Sequence, residues 1–432
     1  MGFEGRIVPE CCSSFCDTEE ANRNTVYPLL KKVVGTPFFS HFEIDLCSSC
    51  ELWEDQPQCR MRDCSVCECE EPPVWSLEKN AGGSSDSTDS YRHGGVVVAA
   101  VDSAVLGGWE TLAPAGPFGY GVHATSGGHG SGAEPTARVV DLLENPEGYT
   151  GYTGPSAEKV WSAVHSKNCF QTPNQNSSSS SNNNNNNNNN TIDEYCFLSP
   201  EQRLYNRFLS GLHSSISLHI AHLYCLEMDP ERVGECAVWG PNDDIAYDRV
   251  LKHPGRVENL YVAFSLLLRA VVKAGSAVTA AVPDSDPLLE EGLSHWRESL
   301  LPELVSLERR APPTFDETSL LAMLGSGGDG HGEDAAPGTA DRRRSELRGR
   351  FEELESIIRC VGCDRCKLWG TLQTLGLGTA LKILLDDDGS ESLRLSRQEA
   401  VALVNTLERL SSSLVFAQEF RARREAACRD GR

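Results

Sequence analysis

The sequence contains no run of about eighteen apolar residues, the shortest length from which a membrane-spanning helix is built. Residues 1–10 also lack the apolar stretch of a secretory signal. Basic residues are scarce, because 39 Lys and Arg stand against 62 Asp and Glu, giving a net charge of −23. Nucleic-acid binding depends on cations clustered at phosphates, so this balance argues against a general nucleic-acid-binding protein.

Two structural patterns are also missing. The alternation of apolar and polar residues that is typical of half-buried strands is almost absent. No G-x-G-x-x-G motif follows a strand pattern, which excludes a Rossmann-type flavin site. The sequence therefore predicts a mainly α fold.

Helical patterns fill the second half of the chain. Ser199 and Ser396 are predicted N-caps, because Gln202 and Glu399 follow three residues later as in a capping box. Apolar residues then recur at helical spacing in several segments, which predicts one helical-bundle catalytic domain over residues 138–425. The clearest stripes are Leu204, Phe208, Leu212, Ile216 and Ile220, then Val257, Leu260, Tyr261, Phe264, Leu267, Leu268 and Val271, and then Leu347, Phe351, Leu354 and Ile358.

The first half of the chain is divided by composition. Residues 10–75 form a cysteine-rich segment, within which residues 26–42 are predicted to form a short helix and an edge that pack on the main body. Residues 76–137 are rich in Gly, Ser, Ala and His, which predicts a low-complexity linker without secondary structure. Two similar inserts interrupt the core at residues 171–192 and about 325–344. The first carries glycosylation sequons at Asn176 and Asn189, usable only in a secretory compartment.

Cysteine is abundant, with 17 residues, most of them in paired local spacings. Such spacings favour disulfides and an oxidising compartment, and the odd number leaves at least one thiol without a partner in the chain. The pairs Cys47-x-x-Cys50 and Cys64-x-x-Cys67 also have a spacing close to that of zinc ribbons. A zinc-stabilised interaction protein without redox activity is therefore an open alternative.

The segment 360–370 has the strongest chemical signature. Cys360, Cys363 and Cys366 recur every three residues beside Arg365 and Lys367, ahead of a helical apolar run. A helix start and nearby cations favour the thiolate, which is the form that attacks a disulfide or a flavin. This pattern indicates thiol–disulfide exchange, and a structural disulfide or half of a zinc site are the alternatives.

Several polar residues fall within or beside the predicted helices, where a purely apolar core would not place them. Two arginines, a histidine, hydroxyl groups and a tryptophan are a set that binds a diphosphate and stacks on an aromatic ring. Each of them alone is more often structural. The candidates are Thr150, Trp161, Ser210, His213, Arg256 and Arg269.

Taken together, these motifs resemble the endoplasmic reticulum oxidoreductin family, which are FAD-dependent thiol oxidases that supply disulfides to protein disulfide isomerase. The resemblance rests on the combination of segments and covers most of residues 11–75 and 138–420. The matching segments are Cys50-Glu-Leu-Trp to Cys64, residues 145–161, Ser210-Gly-Leu-His213, residues 256–269, and residues 360–385 with Gly-Leu-Gly-Thr-Ala-Leu-Lys-Ile-Leu at 376–384.

The resemblance implies a role for each matching position. Cys363 and Cys366 would lie beside the flavin, and Cys59 and Cys64 would form the outer shuttle pair. The resemblance further implies disulfides between Cys50 and Cys360 and between Cys169 and Cys196. The implied FAD-contacting residues are Thr150, Trp161, Ser210, His213, Arg256 and Arg269.

The implied reaction passes electrons from a disulfide isomerase to Cys59/Cys64, to Cys363/Cys366, to FAD and to dioxygen, giving hydrogen peroxide. It would take place in the lumen of the endoplasmic reticulum and support oxidative folding, with peripheral membrane association left open. A smaller, Erv-like flavin oxidase is a weaker alternative, because its flavin motif differs.

The chain departs from the family at two points. Gly148 replaces an expected FAD-contacting arginine, and residues 70–168 contain no cysteine for a regulatory disulfide. Cys47, Cys67, Cys225 and Cys236 are additional cysteines, and pairing of Cys225 with Cys236 is one hypothesis.

Overall fold

The structure is a computed structural model. It describes residues 13–45, 91–93, 96–98, 137–143, 200–228, 230, 236–280, 292–311, 339–359, 364–385 and 393–430. These residues are mostly helical, which confirms the predicted mainly α class. No helix among them is long and apolar enough to cross a membrane.

The described residues form the following α-helices. They are α1 (Ser13–Ala21), α2 (Tyr27–Val34), α3 (Pro37–Ser40), α4 (Pro200–His222), α5 (Asp243–Ala246), α6 (Pro254–Lys273), α7 (Gly275–Ala280), α8 (Leu301–Arg310), α9 (Thr339–Arg359), α10 (Asp364–Leu384) and α11 (Arg397–Asp430). Three π-helical turns extend α1, α5 and α8 without a break in the chain, at Asn22–Val26, Tyr247–Leu251 and His295–Leu300.

The core is a bundle of α4, α6, α10 and α11, in which α4 packs on α6 and α10 packs on α11. Helix α6 also packs on α10 and α11, and α9 packs against α4 and α10. The apolar stripes named above are buried in this core, apart from Val257, which is half-buried. Burial of such stripes is the main source of helix stability in globular proteins.

The capping box predicted before α11 is present. The Ser396 hydroxyl accepts from the Glu399 backbone N–H at 3.2 Å, and the Glu399 carboxylate accepts from the Ser396 N–H at 2.8 Å. Lys382 of α10 forms an ion pair with the same carboxylate at 2.7 Å, and both side chains are 8% exposed. The start of α11 is therefore joined to the end of α10 by a buried charge pair.

Two glycines allow the helix pairs to approach closely. A Cβ atom on Gly211 of α4 would lie 2.5 Å from the Asn259 carbonyl oxygen of α6. A Cβ atom on Gly376 of α10 would lie 2.6 Å from the Ala402 carbonyl oxygen of α11. Both distances are shorter than real side chains allow, so only glycine fits at either crossing.

The N-terminal helices pack along α11, which confirms the short helix and edge predicted at residues 26–42. The Asn405 amide donates to the Phe39 carbonyl at 2.8 Å, and the Asn22 amide donates to the Ser411 carbonyl at 3.0 Å. Strand β1 (His41–Asp45) follows α3.

Five further strands are β2 (Tyr91–His93), β3 (Val96–Val98), β4 (Ala137–Asp141), β5 (Tyr224–Met228) and β6 (Cys236–Gly240). The first four strands form one antiparallel sheet in the order β1-β4-β3-β2, and β5 and β6 form a hairpin. The register of the first pair places His41 opposite Asp141.

Parts of the predicted low-complexity segments have secondary structure. Strands β2 and β3 lie within the linker 76–137, which we expected to be without any. Strands of three residues are too short to show a periodicity, although three consecutive valines favour β structure. Helix α9 begins at Thr339, inside the insert predicted at about 325–344. The insert at 171–192 lies outside the described residues.

Candidate active site

Five of the ten predicted site residues lie outside the described part of the chain. These are Cys59, Cys64, Thr150, Trp161 and Cys363. Cys366 is the third residue of α10, and its side chain is not described. The roles of these six residues stay predictions. The other four are Ser210 and His213 on α4 and Arg256 and Arg269 on α6.

The crossing at Gly211 brings the α4 and α6 residues together. The Ser214 hydroxyl, one turn after Ser210, lies 2.8 Å from the Ser210 carbonyl and 3.2 Å from the Arg256 carbonyl. The turn of α4 that carries Ser210 and His213 is thus held against the first turn of α6, which carries Arg256. The predicted grouping of these three residues at one place is consistent with this contact.

The exposure of these residues differs from the expectation that they lie inside the bundle. Ser210, His213 and Arg269 are half-buried, and Arg256 is exposed. Arg256 and Arg269 are also thirteen residues apart on one helix, which corresponds to about 20 Å. The set therefore lies at the bundle surface and suits an elongated ligand rather than a compact one.

The start of α6 is positively charged. The Arg256 guanidinium donates to the Arg249 carbonyl, and the N-terminus of a long helix adds partial positive charge. Burial, and then repulsion by the Arg256 cation, lower the pKa of His253 below its ordinary value of 6.5. The protonated form of His253 is therefore disfavoured, and Arg256 supplies the cation at this position. The start of α6 is therefore suited to binding an anionic group such as a diphosphate.

Asp248 forms an ion pair with its neighbour Lys252. The Lys252 ammonium donates to its carboxylate at 2.8 Å, and this hydrogen bond lowers the pKa of Asp248. The carboxylate thus stays ionised next to its own cation, in the π-helical turn that precedes α6.

The start of α10 provides the setting for Cys366. From Lys367 to Leu384 nearly every residue of this helix is buried, beginning directly after Cys366. The N-terminal end of the helix dipole and the neighbouring cationic residues favour the thiolate form of a cysteine placed there.

A polar layer that was not predicted from the sequence lies where α4, α10 and α11 meet. Arg409 of α11 is 2% exposed, and its guanidinium carbon lies 3.6 Å from the centre of the Trp369 ring on α10. The Arg409 carbonyl accepts from His219 Nε2 of α4 at 3.1 Å. The Ser215 and Ser413 hydroxyls, on α4 and α11, lie 2.7 Å apart.

One signal for this layer was present in the sequence. Three consecutive serines, Ser411 to Ser413, follow Arg409 and Leu410 in a segment whose earlier part shows an apolar stripe. Polar residues at positions that should be apolar indicate a buried network, but the spacing did not reveal which helices would supply the partners.

The cysteines outside the active site are described in part. Cys225 is disulfide-bonded and Cys428, near the end of α11, is a free exposed thiol. The partner of Cys225 is not among the cysteines whose side chains are described, so its pairing with Cys236 stays a hypothesis. The cysteines of the zinc alternative, Cys47, Cys50, Cys64 and Cys67, lie outside the described residues.

Comparison with known proteins identifies the family. The family model for Endoplasmic Reticulum Oxidoreductin 1 (ERO1) matches residues 25–417. Endoplasmic reticulum oxidoreductin-1 of Arabidopsis thaliana is 34% identical over 426 residues, covering 96% of this chain and 79% of that protein. ERO1-like protein alpha of Homo sapiens is 31% identical over 445 residues, covering 94% of this chain and 88% of that protein.

A solved structure supports the same fold. A mutant of S. cerevisiae Ero1p superposes with a TM-score of 0.60 at 24% identity, covering 96% of this chain and 99% of that one. The relatives lend no support to the zinc-stabilised alternative, because they are oxidoreductins. The chain therefore belongs to the endoplasmic reticulum oxidoreductin family and is a thiol oxidase of oxidative protein folding.

Proposed function

We propose that this thiol oxidase binds FAD, reoxidises a protein of the disulfide isomerase type, and uses dioxygen as the final electron acceptor in the lumen of the endoplasmic reticulum. The observation that carries the proposal is the packing of α6 on both α4 and α10. It joins the helices that bear Ser210, His213, Arg256 and Arg269 to the helix that begins beside Cys363 and Cys366.

The residues at the α4–α6 crossing fit FAD. Arg256 and Arg269 supply two cations spaced for an extended dinucleotide, and the start of α6 adds donors for the diphosphate. Ser210 and His213 offer a hydroxyl and an imidazole on the facing helix. From the family resemblance, Thr150 and Trp161 are proposed to complete the site. Gly148 replaces the expected FAD-contacting arginine, so the site has one cation fewer.

The chain's own cysteines carry the exchange steps. A thiolate of the partner attacks the Cys59–Cys64 disulfide, and its second thiol resolves the mixed disulfide, so that the partner is oxidised and Cys59/Cys64 is reduced. The Cys59/Cys64 dithiol then reduces the Cys363–Cys366 disulfide in the same way. Each exchange breaks one disulfide, forms another and moves two electrons and two protons.

The start of α10 favours the last step within the protein. Its helix dipole stabilises a thiolate at Cys366, and Arg365 and Lys367 are cationic neighbours in the sequence. FAD, when bound, accepts the two electrons of the Cys363/Cys366 dithiol and passes them to dioxygen, which yields hydrogen peroxide.

The first test concerns the cofactor and the inner pair. The purified full chain should be yellow and release about one FAD per protein on denaturation. Cys363→Ser and Cys366→Ser should each retain FAD and lose oxygen consumption driven by a reduced disulfide isomerase. Normal turnover in either variant would exclude that cysteine from the inner pair.

The second test concerns the shuttle. The double variant Cys59→Ala/Cys64→Ala should still oxidise dithiothreitol, which is small enough to reach the inner pair directly, and should fail to oxidise a reduced disulfide isomerase. Equal loss with both substrates would contradict the shuttle assignment. About one zinc per parent chain would restore the zinc alternative, since bound metal holds such a segment folded.

A further inference from the structure

Trp369 carries a buried donor without an acceptor. It lies on α10 three residues after Cys366, and its side chain is 5% exposed. Within the part of the chain that the structure describes, its indole Nε1–H has no hydrogen-bond partner. Buried N–H groups are nearly always paired, and an unpaired one costs about 1–3 kcal/mol. The indole therefore indicates a partner outside these residues.

Gln373 carries a buried acceptor next to this donor. It lies four residues after Trp369, which places both on one face of α10. Its Nε2 donates to the Trp369 carbonyl at 3.2 Å, which fixes the orientation of the amide. Its Oε1 receives no hydrogen bond among the described residues, and the side chain is 0% exposed. One helix face thus presents an unused donor and an unused acceptor, one turn apart.

Arg409 fixes the Trp369 ring. Its planar guanidinium stacks on the indole at 3.6 Å, a favourable arrangement for a cation and an aromatic ring. The Arg409 backbone is held in turn by the hydroxyls of Ser412 and Ser413, which donate to its carbonyl at 2.9 and 2.7 Å. One face of the ring is thus covered by Arg409, and the N–H on the ring edge has no acceptor among the described residues.

The position of the ring indicates which ligand this is. Long side chains on a helix point back toward its N-terminus, so the indole lies over the turn that contains Cys366. Under the proposed function, on which this inference rests, that cysteine lies beside the flavin. The edge of the isoalloxazine ring bears several acceptors and one N–H donor, which complement an indole N–H and an amide oxygen.

We propose that Trp369 and Gln373 are further flavin-binding residues, which pair with the isoalloxazine edge through the indole N–H and the amide oxygen. Arg409 is a positioning residue that holds the Trp369 ring for this contact.

The experiment measures FAD release from the diluted holoprotein by flavin fluorescence, together with the visible flavin spectrum. Trp369→Phe keeps an aromatic ring for Arg409 and removes the N–H. Loss of one hydrogen bond should speed FAD release about five- to tenfold and shift the flavin absorption. Gln373→Met removes the amide oxygen at similar volume and should have a comparable effect, which provides a second reading if one variant fails to fold.

Trp296→Phe is the matched control. Trp296 is fully buried, and its indole N–H already donates to the Gly275 carbonyl at 3.3 Å. This variant should lower stability and leave both the rate of FAD release and the flavin spectrum unchanged.

Two outcomes distinguish the inference from the proposed function. A parent protein that binds FAD, with release rates and spectra unchanged in Trp369→Phe and Gln373→Met, would overturn the inference and indicate an internal water between the two groups. A parent purified without FAD would overturn the proposed function itself.

The positioning role of Arg409 has its own control in Arg397. Both arginines lie on α11 at 2% exposure, and Arg397 covers the Phe38 ring at 4.7 Å, remote from α10's first turn. Arg409→Met should reproduce the spectral shift of Trp369→Phe, and Arg397→Met should not. If Arg409 acts through the indole, the double variant Trp369→Phe/Arg409→Met should release FAD no faster than Arg409→Met. Additive effects would show that Arg409 acts independently of Trp369.

Discussion

The two glycine crossings of the bundle serve different environments. At the α10–α11 crossing, the polar groups are buried, as in the Lys382–Glu399 pair with both side chains 8% exposed. At the α4–α6 crossing, the corresponding ion pair is Arg207–Glu258, whose side chains are 17% and 49% exposed. Close packing thus supports a sealed interior at one crossing and a partly hydrated binding surface at the other.

The largest expected difference between the crossings concerns these ion pairs. Lys382→Met would leave the Glu399 carboxylate buried without its cation and should lower the free energy of unfolding by about 3–4 kcal/mol. Arg207→Met removes a partly hydrated pair and should cost less than about 1 kcal/mol. Chemical denaturation of both variants measures the difference. Equal losses would show that the two crossings are equally buried.

The glycines themselves provide the second comparison. Gly376→Ala would drive its Cβ into the Ala402 carbonyl in a fully enclosed helix pair, so the free energy of unfolding should fall by about 3 kcal/mol. In Gly211→Ala the new Cβ meets the Asn259 carbonyl, but α6 has a half-exposed side toward which this helix can shift. We therefore expect the free energy of unfolding to fall by about 1–2 kcal/mol. A greater loss for Gly211→Ala in a denaturant titration would contradict this ranking.

Arg256 tests the binding surface without disturbing the fold. Because this side chain is exposed, Arg256→Ala should leave the unfolding midpoint nearly unchanged. Loss of a charge-assisted contact to a diphosphate should weaken FAD binding about tenfold. Arg249→Ala is the matched control, because Arg249 accepts the Arg256 hydrogen bond through its backbone carbonyl, which the substitution keeps. This variant should bind FAD as the parent does. Full FAD retention in Arg256→Ala would remove this residue from the site.

The smallest expected effect is in the titration of His253. Its pKa is lower in the folded protein than in the unfolded chain, so between the two pKa values the unfolded chain binds more protons. Its contribution to stability therefore rises with pH from the folded pKa up to about 6.5 and is constant above that value. Arg256→Ala should raise the His253 pKa part of the way toward its ordinary value, since burial is the larger cause. If an NMR titration gives the same His253 pKa in Arg256→Ala as in the parent, repulsion by Arg256 does not contribute to the shift.

Local patterns were enough to predict most of the fold. The stripe beginning at Leu204, the capping box at Ser396 and the helix within residues 26–42 depend on neighbours close in the sequence. Strands β2 and β3 were missed because three residues do not establish a period. The exposure of Arg256 and the burial of Arg409 depend on which helices pack together, and the spacing of residues within one helix does not contain that information.

The short chain distance from the end of β1 to Cys59 has a kinetic consequence for the proposed shuttle. Cys59 lies fourteen residues after Asp45, the last residue of β1, so its backbone is within about 49 Å of that point whatever path the chain follows. One molecule in a sphere of that radius corresponds to an effective concentration on the order of 3 mM. Under the proposed function, transfer from the outer pair to the inner pair of the same molecule is a first-order event, and its rate should not depend on enzyme concentration.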